Sequence, residues 1–384
     1  MVAFTLLDEL RNIVFIYEAA DPAARRRLSA EAEAALGRAV GALRPGVSPR
    51  LAWLGCLVLD GRWEAALQIL DDLPVPGNAY LRREVTDTRA ILARHRGEPE
   101  TAWEQIRPLI PEGPATEPGD IIHQEGLSLQ RLATDLCLDA GDPSAARAWL
   151  EAHDRWLAWS GSVLGRADGR VSWARYHLAT GNTEGARAAV TEALAIAASP
   201  SQPLVCLAAH RFMGEIETAA KRFGAADAHL MAALDLAAAC EAPFERARTL
   251  LALTELRLIT GMAGEASSLL DEVRRICTPL GAAPTLARAD GLAAHLATAR
   301  PAKKSFAGLT DRELDVLRLL PEELTLEQIA ARLFVSYSTV KTHLDHIRDK
   351  FGVSQRRDVV ARAAQLGLLD PPRHPPSPQR VGDG

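Results

Sequence analysis

Between about residue 50 and residue 297 the apolar positions recur at helical spacing, as in Ala226, Leu230, Ala233, Leu234 and Ala237, with charged residues between them. The alternation expected of a half-buried strand is absent, so the segment predicts amphipathic helices. A phrase also repeats: an apolar helix, a turn residue that is usually glycine, then a second, alanine-rich helix. Its six versions begin at Gly61, Gly97, Gly141, Gly181, Lys221 and Gly261, and the fifth residue after each is alanine: Ala66, Ala102, Ala146, Ala186, Ala226 and Ala266. The spacings of 36, 44, 40, 40 and 40 residues lie in the range of stacked helical hairpins. A glycine just past a helix accepts the left-handed capping conformation, and a small residue early in the next helix lets two axes approach closely. Lys221 breaks the glycine rule and predicts a different turn there. The long spacing coincides with RPLIPEGPATEPGD at 107–120, where proline and glycine forbid a continuous helix and an inserted loop is expected.

The pattern changes at both ends. Residues 1–48 read as further helices, ELRNIVFIY and LSAEAEAALGRAV, that cap an array over 49–298. ARPAKKSFAG ends at 308, so 299–308 is read as a linker, and the proline-rich 370–384 is read as a disordered tail. Between them, 309–369 announces four short helices by their starts. Thr310 with Glu313 and Thr325 with Gln328 have capping-box spacing, while Ser336 and Ser354 are expected to cap the third and fourth.

On the third helix Val340, Leu344, Ile347 and Phe351 fall in one narrow stripe, which predicts a core face. Ser338, Lys341, Thr342, Asp345, His346 and Asp349 lie opposite, with His343 and Lys350 on the flank. A helix that offers small polar and basic residues near its N-terminus fits a DNA major groove, with lysine reaching phosphate or guanine.

This segment resembles the LuxR/FixJ-type DNA-binding domain in its L-T-x-R-E-x-x-V-L opening, its I-A-x-x-L middle and its S-x-x-T-V-K-x-H-x-x-x-I-x-x-K third helix. The resemblance implies that Val340, Leu344 and Ile347 hold a recognition helix whose Lys341, Thr342 and position 345 face the bases. It also implies a homodimer on double-stranded DNA through the fourth helix, with Val359, Val360, Ala363 and Leu366 at the contact and half-sites about one DNA turn, roughly 34 Å, apart. The chain departs from the family at Pro321-Glu322-Glu323, where a turn glycine is usual, and at Leu326, which replaces an asparagine. Asp345 and Asp349 place two carboxylates toward phosphates; Asp345 has an alternative role in accepting from a cytosine amino group. The candidate DNA-contacting set is therefore Ser338, Thr339, Lys341, Thr342, His343, Asp345, His346, Lys350 and Arg356. His343, His346, Arg356 and the neighbouring Arg357 are read equally well as solvated.

The array resembles the tetratricopeptide-like superhelix of MalT-type regulators in its period and small-residue placement. Such regulators carry an ATPase ahead of the array, yet no GxxxxGK[ST] phosphate loop occurs in this sequence. The fold class that follows is all-α, a helical-hairpin solenoid followed by a four-helix reader.

Composition narrows the function. Across 384 residues the net charge is −5, so DNA affinity must be local rather than a property of the whole surface. Even within 305–369, nine basic residues face nine acidic ones. The five cysteines, Cys56, Cys137, Cys206, Cys240 and Cys277, are scattered and have no metal-ligand spacing. They read as reduced core thiols, consistent with a cytoplasmic protein without metal or cofactor. All seven tryptophans lie before residue 174 and serve either as packing or as a ligand groove. No apolar run reaches membrane-spanning length, and no nucleophile–base or paired-carboxylate motif suggests an enzyme. The sequence thus predicts a transcription regulator whose array receives an unidentified small molecule or protein. The alternative is an interaction scaffold with a weak reader.

Overall fold

The computed structural model describes residues 19–40, 49–72, 79–118, 123–298, 309–322, 324–366 and 368–369. Part of the expected N-terminal cap, the linker and the tail lie outside these residues. The chain divides near Leu296 into two compact units.

The first unit opens with α1 (Pro22–Val40) and a 3-10 turn, Pro49–Trp53, followed by six helix pairs. These are α2 (Leu54–Leu59) with α3 (Trp63–Asp71), α4 (Ala79–Arg96) with α5 (Pro99–Ile106), and α6 (His123–Asp139) with α7 (Pro143–Ser160). They continue with α8 (Arg166–Ala179) and α9 (Thr183–Ala197), α10 (Pro203–Ala219) and α11 (Phe223–Ala239), and α12 (Pro243–Ile259) and α13 (Ala263–Leu280). A last helix, α14 (Ala283–Thr298), closes the series. Each predicted turn falls inside a pair, and all six marker alanines are 0% exposed, because each sits where the second helix crosses the first. Among the described residues no strand occurs beyond an isolated bridge, Ala198 to Ser201.

The expectation of a different turn at Lys221 is corrected. Lys221 takes φ +58°, beside +71° at Gly61 and +77° at Gly261. Its flanking hydrogen bond, Arg222 N to Glu217 O at 2.9 Å, matches Arg62 N to Leu57 O at 2.7 Å and Met262 N to Arg257 O at 2.8 Å. The repeat dictates one capping geometry, and lysine adopts it against its own preference.

Residues 107–118 form turns and a short 3-10 segment, Gly113–Ala115, which accounts for the 44-residue spacing. This insertion lies over α7, where the fully buried Trp156 donates its indole N–H to Thr116 O at 3.1 Å. Trp103 and Trp149 meet at 6.2 Å in a separate cluster. Trp63 is buried in a third, whereas Trp159 is 58% exposed. The tryptophans are thus divided among separate clusters rather than gathered on one groove.

The first and last hairpins touch, so the array closes on itself. One apolar cluster holds Leu54, Trp63 and Leu92 together with Leu230, Phe244, Leu270 and Ala289. The Trp63 and Phe244 rings stand edge to face at 4.8 Å, and His95 lies 4.6 Å from Phe244. At Gly97 an added Cβ would lie 3.6 Å from that of Ala283. Inside this ring, Arg94 of α4 binds Asp135 and Asp139 of α6, and Arg175 of α8 binds the same two carboxylates. Burial first, then Arg94 and Arg248, push the His95 imidazole down to about 3, which places α12 across from α4.

The second unit is small: α15 (Asp311–Leu319), a 3-10 turn over Leu320–Glu322, α16 (Leu326–Leu333), α17 (Tyr337–Phe351) and α18 (Arg356–Gln365). Its core joins Leu309, Leu317, Ile329, Val340, Leu344 and Ile347 with Val359 and Ala363. The α16–α17 turn is held by Phe334 at φ +56°.

Candidate nucleic-acid interface

The predicted helix starts are largely realised. Both capping boxes form: a Glu313 carboxylate oxygen accepts Thr310 N–H at 2.6 Å, and the Gln328 amide oxygen accepts Thr325 N–H at 2.9 Å. Ser336 caps α17 by accepting Thr339 N–H at 3.1 Å. Ser354 does not cap α18, whose N-cap is Gln355 without a side-chain bond. The serine lies one residue too early, because the turn after Gly352 is a residue longer than the spacing suggested.

Val340, Leu344 and Ile347 are 0%, 3% and 0% exposed and fasten α17 to the domain core. The opposite face holds the exposed Ser338, Lys341, His346 and Asp349, with Thr342, His343 and Asp345 half-exposed. Thr342 Oγ1 turns back to Ser338 O at 3.0 Å. Arg348 donates to Asp345 Oδ1 at 3.0 Å, which offsets part of the repulsion that this carboxylate would exert on phosphate. Thr339 departs from the expected groove face. It is 4% exposed, and its hydroxyl lies 2.8 Å from Ser336 Oγ, so it belongs to the cap.

Two candidate cations have internal partners. Lys350 Nζ donates to both oxygens of Glu313 at 2.6 Å, tying the end of α17 to the start of α15. Burial raises the Glu313 carboxyl, but hydrogen bonds from Lys350 and Thr310 outweigh it and leave the group below the usual range. His346 Nδ1 stands 4.0 Å from the same carboxylate. Arg356 donates to Leu324 O at 2.5 Å and to Leu320 O at 2.7 Å, docking α18 on the turn that precedes α16. Neither link was legible, since each joins residues more than thirty positions apart. The exposed Phe334 in the turn and Tyr337 at the start of α17, at 72% and 47%, also escaped notice, as aromatic residues carry no groove-reading signature. On α18, Val359 and Ala363 are 0% exposed, so the domain core has used them and they are not free for a dimer contact.

A core-locked helix with a lysine and small hydroxyls on its outer face, introduced by a capped helix and a tight turn, defines a helix-turn-helix DNA reader. Residues 307–363 match the family described as bacterial regulatory proteins, luxR family, and this segment is a LuxR-type domain. Over 68 residues the chain is 47% identical to a protein named HTH-type transcriptional regulator Rv0890c of Mycobacterium tuberculosis, covering 18% of this chain and 8% of that one. Over 104 residues it is 35% identical to the DNA-binding transcriptional activator DevR/DosR of the same species, covering 26% of this chain and 48% of that one. The chain thus spans less than half the length of these relatives. In fold it is similar to a Rap protein solved in complex with competence and sporulation factor, with a TM-score of 0.53 at 11% identity, covering 95% of each chain. That likeness concerns the helical-repeat architecture.

Proposed function

We propose that the protein is a DNA-binding transcription regulator in which α17 reads the major groove and the helical array receives the signal. The observation that carries this reading is the outer face of α17, where Ser338, Lys341, Thr342 and His346 stand toward solvent above a stripe buried to 3% or less. Lys341 supplies the phosphate or guanine contact, Thr342 and Ser338 read base edges, and Asp345 accepts from a cytosine amino group. Lys350 and Arg356 act indirectly by holding α17 and α18. Binding as a homodimer through α18 uses Val360 and Leu366, which remain partly exposed, and places half-sites about 34 Å apart. The LuxR family is a regulator family rather than an enzyme class. Among the described residues no helix is long and apolar enough to cross a membrane, in keeping with a cytoplasmic site of action.

The test is selection of genomic DNA by the purified full-length protein at low and moderate salt, with Lys341→Ala alongside. The expected result is an enriched two-fold-symmetric site, several-fold weaker in the variant, with the salt slope reduced by about one. Unchanged binding by Lys341→Ala removes the assignment of α17. The balance of nine basic and nine acidic residues in 305–369 favours a second reading, an interaction scaffold, and no enrichment at either salt would select it.

A further inference from the structure

Where the third hairpin passes to the fourth and the fourth to the fifth, the array opens a cavity of about 670 Å³. It is lined from the C-terminal ends of α7 and α9, the start of α8 and the turn before α10, and its size is usual for small-molecule sites. Two arginines of α8 line it, and only one is committed. Arg170 donates through Nη2 to both oxygens of Asp154, at 3.0 and 2.9 Å, and its Nη1 stands 3.7 Å from Glu192. These three lining groups engage one another. Arg166 donates its Nε–H to Ser162 O at 3.1 Å and forms no ion pair among the described residues, so the two terminal nitrogens of its fork are uncommitted.

A second polar group lines the cavity from α10. Gln202, the N-cap residue of that helix, is only 6% exposed. Its side chain caps no helix N–H and has no hydrogen-bond partner among the described residues. A buried amide in that state is costly. The residues favoured at an N-cap are shorter ones that bond back to the helix, so capping does not account for this glutamine. Apolar surface completes the site: Leu157, Ile196 and Pro200 line it, together with Val163, which is 64% exposed although aliphatic.

We propose that this cavity binds an apolar carboxylate with an amide beside its acid group, the chemistry shared by an N-acylated aliphatic amino acid and the C-terminal residue of a peptide. The Arg166 fork takes the carboxylate. The Gln202 side chain offers both an acceptor and donors, which the N–H and C=O of a ligand amide answer together. The aliphatic side chain of the ligand covers Val163 and Leu157 and removes their apolar surface from water. One uncommitted guanidinium suits a monoanion, whereas a phosphate dianion finds no second free cation and meets the Asp154 and Glu192 carboxylates. The inference rests on the reading of the array as receiver of the signal, and it gives the effector a chemical class.

The experiment titrates N-acetylleucine and triglycylleucine into the full-length protein by calorimetry, with N-acetylleucinamide, which lacks the carboxylate, as control. Wild-type protein is expected to bind at least one of the two acids, and the amide about tenfold or more weakly than the acetylated acid. Arg166→Gln is expected to weaken the acids by about tenfold or more while leaving the amide unchanged. Arg166 is exposed, so the fold, followed by circular dichroism, should survive. Val163→Asp gives a second route at an exposed position, since a carboxylate there repels the ligand and should weaken both acids similarly. Tighter binding of the acetylated amino acid, or of the peptide, supports the site and tells its two sources apart. Absence of binding of both acids by wild type, equal affinity for acid and amide, or undiminished affinity in both variants overturns the proposal. DNA selection by the same preparations keeps the two readings apart: failure here with DNA enrichment intact removes the ligand assignment and leaves the regulator.

Discussion

Closure of the array makes a demand that an open solenoid does not. Gly97 ends α4 and Ala283 begins α14, yet an added Cβ at Gly97 would stand 3.6 Å from that of Ala283, within the range of disulfide-bonded cysteines. The double substitution Gly97→Cys with Ala283→Cys should therefore cross-link on mild oxidation and close a loop of about 190 residues. By the chain-entropy estimate a loop of that size stabilises by about 5 kcal/mol. Two local effects reduce the gain. Gly97 has φ +83°, which an L-residue tolerates at about 1–2 kcal/mol. Pro284 also lies 3.1 Å from the new Cβ and must shift by a few tenths of an ångström. A net stabilisation of about 3 kcal/mol remains, which for a unit of this size raises the melting midpoint by roughly 5 °C. The assay compares oxidised and reduced protein by non-reducing electrophoresis and thermal melting. Each single variant reports on adventitious pairing with the native cysteines, four of which are buried. Failure of the pair to form an intramolecular bond, while both thiols react freely with a small reagent, would falsify the closed ring.

Two further outcomes concern the capping geometry and the reader. Lys221→Gly should stabilise the array by up to about 1 kcal/mol in urea melts, because relief of the left-handed strain exceeds the added freedom of the unfolded chain; a loss of stability would mean that the lysine side chain has a role the turn does not reveal. The Glu313 carboxyl lies below its ordinary value near 4.5 in the folded domain, so its contribution is present above that pH and is lost as pH falls through the lower, folded value. Acid titration of the reader's stability should therefore be steeper in the native protein than in Glu313→Gln, and parallel curves would count against the Lys350–Glu313 link.

How much of this was legible follows from the range of the interactions involved. The hairpin period, the marker alanines, both capping boxes and the core stripe of α17 were all readable, because each depends on residues within one or two helical turns or on a repeat that reports itself. The Lys221 turn was misread for an instructive reason: the residue type speaks for one position, whereas the packed repeats on either side impose the backbone. Ser354 was misplaced by a single residue, within the latitude that side-chain preference alone leaves at a helix start.

The sequence by itself determined that this protein is a string of helical pairs ending in a LuxR-type reader, since periodicity and caps are local physics. Only the tertiary structure decided that the first hairpin meets the last, that Lys350 and Arg356 turn inward to Glu313 and to backbone carbonyls, that Val359 and Ala363 belong to the core, and that Glu245 collects two arginines inside the ring. Those outcomes depend on which distant surfaces find each other once the helices stack, and on how a fixed number of arginines divides among the carboxylates that the fold brings within reach.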